Sequence, residues 1–193
     1  MKLLLAFSGA YLLGVLVLEM LPEIYHHALP STGYWLLGGI IVQNILEFFS
    51  KGAEHGHVHH HPHQNRLWVL MISLCIHALL EGLPLAVNQE LLWAVSIHKF
   101  LIAMVLALLF LQTPSKGATK AGALLLFALM TPLGSSVAYL PRIASILPGL
   151  TSFVVGLLLH ISTTILFESA EGHTFNGQKF ISILLGMGLA AVI

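Results

Sequence analysis

Long apolar runs, separated by short polar stretches, make up most of the chain. A run of about 17 to 25 apolar residues can cross a bilayer as a helix. Seven segments approach that length: 3–21, 33–50, 66–87, 91–111, 121–140, 144–168, and 179 to the end. The pattern predicts an all-α integral membrane protein, a bundle of about seven transmembrane helices that forms a single domain over residues 1–193.

The connections between the runs add detail to this prediction. Only Asn88-Gln89-Glu90 separates the third run from the fourth, so those two helices are expected to form an antiparallel hairpin. A cleaved signal peptide is the alternative for residues 1–25, but Glu19 interrupts the apolar region and no Ala-x-Ala site follows.

Composition and charge agree with a membrane location. The chain is 57% hydrophobic and 8% charged, whereas soluble domains carry about 25% charged residues. Its eight acidic residues are all glutamate and balance eight lysines and arginines. The net charge is therefore zero, which leaves no basic surface for nucleic acid. The single cysteine, Cys75, cannot form an intrachain disulfide and is expected to be a small core residue.

The placement of lysine and arginine orients the bundle. If the runs alternate in direction, six of these residues lie on one side and Arg142 lies alone on the other. The six are Lys2, Lys51, Arg66, Lys116, Lys120 and Lys179. Positive residues favour the cytoplasmic side. The N-terminus and the loop 51–65 are thus predicted to be cytoplasmic and the C-terminus external, in a plasma or inner cell membrane.

Ionisable residues inside the third and fourth runs carry the candidate chemistry. His77 and Glu81 are four residues apart and share one face of a helix, which Ser73 continues. The predicted hairpin brings His98 and Lys99 of the next run alongside. A charged group in hydrocarbon costs about 2.5 to 3.5 kcal/mol, so such residues point to function. Two imidazoles and a carboxylate suit zinc and other first-row divalent ions. A buried His–Glu pair without a ligand is the alternative.

Gly82 and Pro84 directly follow Glu81 and predict a break in the third helix. Proline removes an amide donor, which is expected to free a carbonyl near position 80. Irregular backbone at membrane depth is tolerated where it lines a cavity. A plain kink made for packing is the alternative.

The segment His77-Ala-Leu-Leu-Glu81-Gly82 resembles the fourth helix of the ZIP family of divalent-metal transporters, which typically contains His-Asn-x-x-Glu-Gly. Further similar segments make the resemblance run over nearly the whole chain. They are Leu-Pro22-Glu23 at the end of the first run, the segment from Leu46 to His57, and the segment from His160 to Glu168.

The resemblance implies a fold and a function. It implies a ZIP-like topology that begins at the second of the family's eight helices, and import of a divalent ion into the cytoplasm by alternating access. The site would consist of His77, Glu81 and His98. Zn²⁺ is the favoured cargo, with Fe²⁺, Mn²⁺ and Cd²⁺ as alternatives. The expected partners are that ion and the lipid bilayer, with a homodimer left open.

One departure from the family pattern concerns its second metal site. The family forms that site largely from the asparagine of the fourth helix and carboxylates of the fifth, and the positions here are Ala78, Lys99 and Ile102. The second site is therefore expected to be absent, with the Lys99 ammonium replacing its metal beside Glu81. Snorkelling of Lys99 to the membrane interface is the alternative.

Other ionisable residues are candidates for the ion pathway. Glu19, Glu23 and His26 are expected at the external end, where they form a negative mouth or a solvated edge. The resemblance implies exit-path roles for Glu47, His160 and Glu168. The loop 51–65 supplies auxiliary metal ligands, unless it is only a solvated loop or a tag. These ligands are His55, His57, His59, His60, His61 and His63.

Two functions of other classes compete with transport. An intramembrane zinc-dependent hydrolase could hold its metal with His77, His98 and His160, although the chain has no aspartate and no His-Glu-x-x-His motif. A non-transporting membrane metal sensor could be built around residues 54–63.

The histidine-rich loop is predicted to be dispensable for basal transport. Its glycine, proline and histidine content offers no packed core, so it is expected to be disordered. Deletion of residues 55–63 should change regulation or metal sensitivity and leave basal uptake by reconstituted vesicles in place. Complete loss of uptake at normal expression would place the loop in the pathway.

Overall fold

The computed structural model describes residues 2–26, 29–50, 64–114, 116–168 and 177–192. All regular secondary structure in these ranges is helical, which confirms the all-α prediction. The α-helices are α1 (Lys2–Val15), α2 (Leu21–His26), α3 (Thr32–Ser50), α4 (Gln64–Gly82), α5 (Glu90–Leu111), α6 (Gly117–Ala138), α7 (Pro141–Ala144), α8 (Leu147–Glu168) and α9 (Gly177–Ala190). A π-helical stretch, Leu16–Met20, joins α1 to α2, and a 3-10 turn, Pro84–Ala86, follows α4.

The described helices include five that are long and apolar enough to cross a membrane. They are Leu3–His26, Trp68–Ala86, Glu90–Leu111, Gly117–Ala138 and Leu147–Phe167. The chain is an integral membrane protein. α3 has 19 residues and α9 has 14, and each packs along one of the five. The seven apolar runs of the sequence thus correspond to seven helical segments, of which five among the described residues have the length and hydropathy of a membrane span.

The helices pack around two hydrophobic cores. α1 packs against α8 and α9, and α3 packs against α8; Leu12 and Leu158 lie at the centre of this first core. α4 packs against α6, and Leu74 and Phe127 lie in the second core. α5 contributes to both, with Val95 in the first core and Leu106 in the second.

Glycines set the closest helix contacts. A Cβ atom at Gly39 or Gly156 would collide with the backbone of the facing helix, and these two residues bring α3 and α8 together. Gly82 and Gly134 do the same for α4 and α6, with their Cα atoms at the contact. Small residues allow such close backbone approach between helices in membranes. The end of α4 that carries Glu81 is therefore held tightly against α6.

The break after Glu81 differs from the sequence-based expectation. α4 ends at Gly82, and the amide of Leu83 donates to the carbonyl oxygen of Leu80 at 3.1 Å. The carbonyl expected to be freed near position 80 is thus hydrogen-bonded. Pro84 begins the 3-10 turn, where its missing amide removes no helical hydrogen bond.

Replacement of Gly134 by alanine tests the glycine contact. The added methyl group would meet the Leu79 carbonyl, and overpacking of this kind costs about 1 to 3 kcal/mol. The melting temperature of the detergent-purified Gly134→Ala protein should therefore fall. Gly122→Ala on the same helix is the control, because nothing lies within 4 Å of its added Cβ. Equal melting temperatures for the two variants would contradict the packing argument.

Candidate metal centre

The last two turns of α4 and the middle of α5 bring three buried ionisable side chains together. His77, Glu81 and His98 are each 1% exposed or less. The Nε2 atom of His77 lies 3.3 Å from Oε2 of Glu81, and the ring centroids of His77 and His98 are 6.3 Å apart. The side chains predicted from sequence to share a site are therefore neighbours.

The second carboxylate oxygen of Glu81 faces α5 and α6. Its Oε1 atom accepts a hydrogen bond of 2.9 Å from the Thr131 hydroxyl and lies 3.7 Å from Nζ of Lys99. Lys99 also donates to Thr131 and lies 4.9 Å from the centroid of the Phe127 ring. The Lys99 ammonium thus points towards the buried carboxylate, and its side chain is only 16% exposed.

The three donors lie close together without forming a ready coordination sphere. In the part of the chain that the structure describes, no three His, Cys, Asp or Glu side chains form a metal-binding group. Two imidazoles on one zinc ion, with Zn–N distances of about 2.0 to 2.1 Å, have ring centroids about 5 Å apart. An approach of about 1 Å between the rings would match that spacing, with Oε2 of Glu81 beside His77 as the third donor.

Thr131 was missed in the sequence analysis. Its hydroxyl also lies 2.9 Å from the carbonyl oxygen of Ala78, so it links α6 to two positions of α4. The signal in the sequence is weak: a threonine before Pro132 inside an otherwise apolar run. Ser73 lies on the buried face of α4 with His77 and Glu81, and its hydroxyl donates to the Leu46 carbonyl of α3 at 2.9 Å.

A polar contact joins the end of α2 to the start of α5, at the end of the bundle that the sequence-based orientation places outside. The Nδ2 atom of Asn88 donates to Oε2 of Glu23 at 2.8 Å, while its Oδ1 atom accepts from the Leu91 amide at 3.1 Å. Beside this contact lies a cavity of about 310 Å³, whose lining includes Glu23, Asn88, Thr32, Thr151 and Ser152. Glu19 is exposed on the π-helical stretch.

A second polar cluster lies between α3 and α8, with His160 in the middle of α8 and Glu47 near the end of α3 that the sequence-based orientation places in the cytoplasm. The Nε2 atom of His160 lies 2.7 Å from Oε2 of Glu47, and Nδ2 of Asn44 lies 3.4 Å from Nδ1 of His160. Glu168 is the last residue of α8, and its side chain is outside the described part of the structure, as is the whole of the loop 51–63 with its six histidines.

Comparison with known proteins identifies the family. The model of the ZIP zinc transporter family matches residues 50–193. The chain belongs to this family. Zinc transporter ZIP1 of Bos taurus and that of Homo sapiens are each 37% identical over 79 residues, which is 38% of this chain and 24% of the relative. The match thus spans about a quarter of these relatives. No solved structure matches the chain significantly.

For this ZIP family member, the match includes α4 and α5 and therefore the candidate metal centre. It does not include residues 1–49, so the resemblance suggested there by Pro22, Glu23 and Glu47 stays a prediction. The hydrolase alternative needs His160 beside His77 and His98, whereas the structure pairs His160 with Glu47 of α3 at 2.7 Å.

Asn88 is predicted to stabilise this ZIP family member through both of its hydrogen bonds. Asn88→Ala removes the acceptor for the first turn of α5 and the donor to Glu23, and loss of a helix-start acceptor costs about 0.5 to 2 kcal/mol. The melting temperature of the purified protein should fall, while Gln89→Ala, at the exposed neighbouring position, should leave it unchanged. An unchanged melting temperature for Asn88→Ala would contradict this role.

Proposed function

We propose that the chain moves a divalent metal ion, with zinc as the favoured cargo, into the cytoplasm by alternating access. The observation that carries this proposal is the buried group formed by His77, Glu81 and His98, with Lys99 beside it. Membership of a family described as zinc transporters supports the same cargo. Fe²⁺, Mn²⁺ and Cd²⁺ are the alternative ions.

The donor set suits an ion that must bind and leave again. Two imidazole nitrogens and a carboxylate oxygen are common zinc ligands, and three protein donors leave a coordination position for water. A closed four-ligand site is typical of structural zinc, which stays bound. The incomplete set favours a transported ion over a structural one.

Lys99 replaces the charge of a second metal in this proposal. Without cargo, its ammonium lies 3.7 Å from Glu81 and offsets the charge of the buried carboxylate. A divalent ion interacts more strongly with that carboxylate and also gains the imidazoles of His77 and His98. The cargo therefore displaces the ammonium, which returns when the ion leaves, so that Glu81 always has a cation nearby.

Two further clusters give the ion a path on either side. The cavity beside Glu23 and Asn88 serves as the external entrance, with Glu19 near it. The pair of His160 and Glu47 lies on the cytoplasmic side and serves as the exit, with Glu168 beyond it. The histidines of the loop 51–65 receive the ion weakly and reversibly.

The orientation rests on the positive residues of the sequence. Their placement favours a cytoplasmic N-terminus and an external C-terminus, in a plasma or inner cell membrane. We propose a transporter without enzymatic activity. The sensor alternative and the homodimer stay predictions, and metal uptake by vesicles distinguishes a transporter from a sensor.

Isosteric variants test the proposed site. Glu81→Gln removes the anionic donor without changing its size, so zinc uptake into proteoliposomes that contain a zinc-sensitive dye should fall by at least about tenfold. His98→Asn should do the same. Glu90→Gln is the matched control, since Glu90 is an exposed carboxylate at the start of α5. Uptake by Glu81→Gln at the rate of the control would refute the site assignment.

A further inference from the structure

Two side chains of α6 contact the Lys99 ammonium. Phe127 and Thr131 are four residues apart and therefore share one face of the helix. They are 1% and 8% exposed. Lys99 donates to the Thr131 hydroxyl, and its Nζ atom lies 4.9 Å from the Phe127 centroid. Neither residue belongs to the proposed metal ligands.

The Thr131 hydroxyl has more acceptors than it has protons. A hydroxyl donates one hydrogen bond and can accept two. Glu81 Oε1 and the Ala78 carbonyl oxygen each lie 2.9 Å from Thr131 Oγ1, so only one of them can receive the proton at a time. The lone pairs stay available to Lys99 in both arrangements. The hydroxyl can therefore release Glu81 without releasing Lys99.

We propose that Thr131 and Phe127 form a dock for the Lys99 ammonium that retains it when the cargo ion takes Glu81. This inference rests on the proposed function and names the residues that make the exchange reversible. As the ion draws Glu81 away, the Thr131 proton turns to the Ala78 carbonyl. Lys99 keeps its hydrogen bond to Thr131 and its contact with the Phe127 ring.

The dock sets how strongly Lys99 competes with the cargo. With Thr131 and Phe127 present, the displaced ammonium has a hydrogen-bond acceptor and an aromatic face, which attracts a cation within about 6 Å. Thr131 also holds the ammonium 3.7 Å from Glu81 Oε1, which is longer than a hydrogen bond. Without Thr131 and Phe127, Lys99 would hydrogen-bond to Glu81 directly, so a cargo ion would have to displace it at a larger cost. Thr131 and Phe127 are therefore positioning residues that favour metal binding.

Zinc uptake kinetics of the full chain in proteoliposomes test the dock. Thr131→Val keeps the shape of the side chain and removes the acceptor, so KM for zinc should rise about tenfold, the value of a hydrogen bond to a charged group. Thr131→Ser should restore KM, because it restores the hydroxyl. Phe127→Leu should raise KM about threefold through loss of the cation–aromatic contact. Thr119→Val, at an exposed position of the same helix, should leave KM unchanged.

The same substitution in a Lys99→Met background separates the dock from a general packing role. Without an ammonium to hold, Thr131→Val should no longer raise KM, because the interaction it still removes, the hydrogen bond to Glu81, stabilises the carboxylate without cargo. An equal rise of KM with and without Lys99 would overturn the dock, as would an unchanged KM for Thr131→Val alone. Either result, combined with loss of uptake in Glu81→Gln, would leave the proposed transport site standing. Full uptake by Glu81→Gln would instead refute the assignment of the metal site.

Discussion

The negative charge of a carboxylate that is buried away from water must be compensated by nearby hydrogen-bond donors and cations. Glu81 is such a carboxylate, and its partners come from α4, α5 and α6. Removing one partner of a buried ion pair typically costs about 3 to 5 kcal/mol, because the other charge is left uncompensated. Glu81 has a partner from each helix: His77 from its own, Lys99 from α5 and Thr131 from α6. The arrangement of these three helices and the chemistry of the site therefore depend on one side chain.

The glycine contacts between α4 and α6 help to compensate the buried charge of Glu81, because they bring Thr131 within reach of it. Thr131 has a short side chain, so it reaches Glu81 and the Ala78 carbonyl only where α6 and α4 nearly touch. Gly82 and Gly134 provide that approach directly beside the site. Lys99 has a long side chain and reaches the same carboxylate from α5. The choice of residue at each position thus follows from the distance between the helices.

Much of the fold could be predicted from the sequence, because each apolar run fixes a helix by itself. The nearness of His77 and Glu81 was also predictable, since helical spacing determines it, and the hairpin connection brought in His98. Thr131 and the pairing of Asn88 with Glu23 were not predictable, because they depend on which helices become neighbours. The hydrogen bond of the Leu80 carbonyl was missed for a local reason: α4 ends before Pro84, so the proline interrupts no helix.

The π-helical stretch Leu16–Met20 determines the directions in which the side chains of α2 point around the helix axis. A π-helical hydrogen bond spans one residue more than an α-helical one, and one residue corresponds to about 100° of rotation around the axis of an α-helix. Conversion of this stretch to α-helix would therefore rotate α2 about its axis and move Glu23 away from Asn88. The direction in which the Glu23 carboxylate points is thus set by the backbone geometry of Leu16–Met20, earlier in the same helical segment.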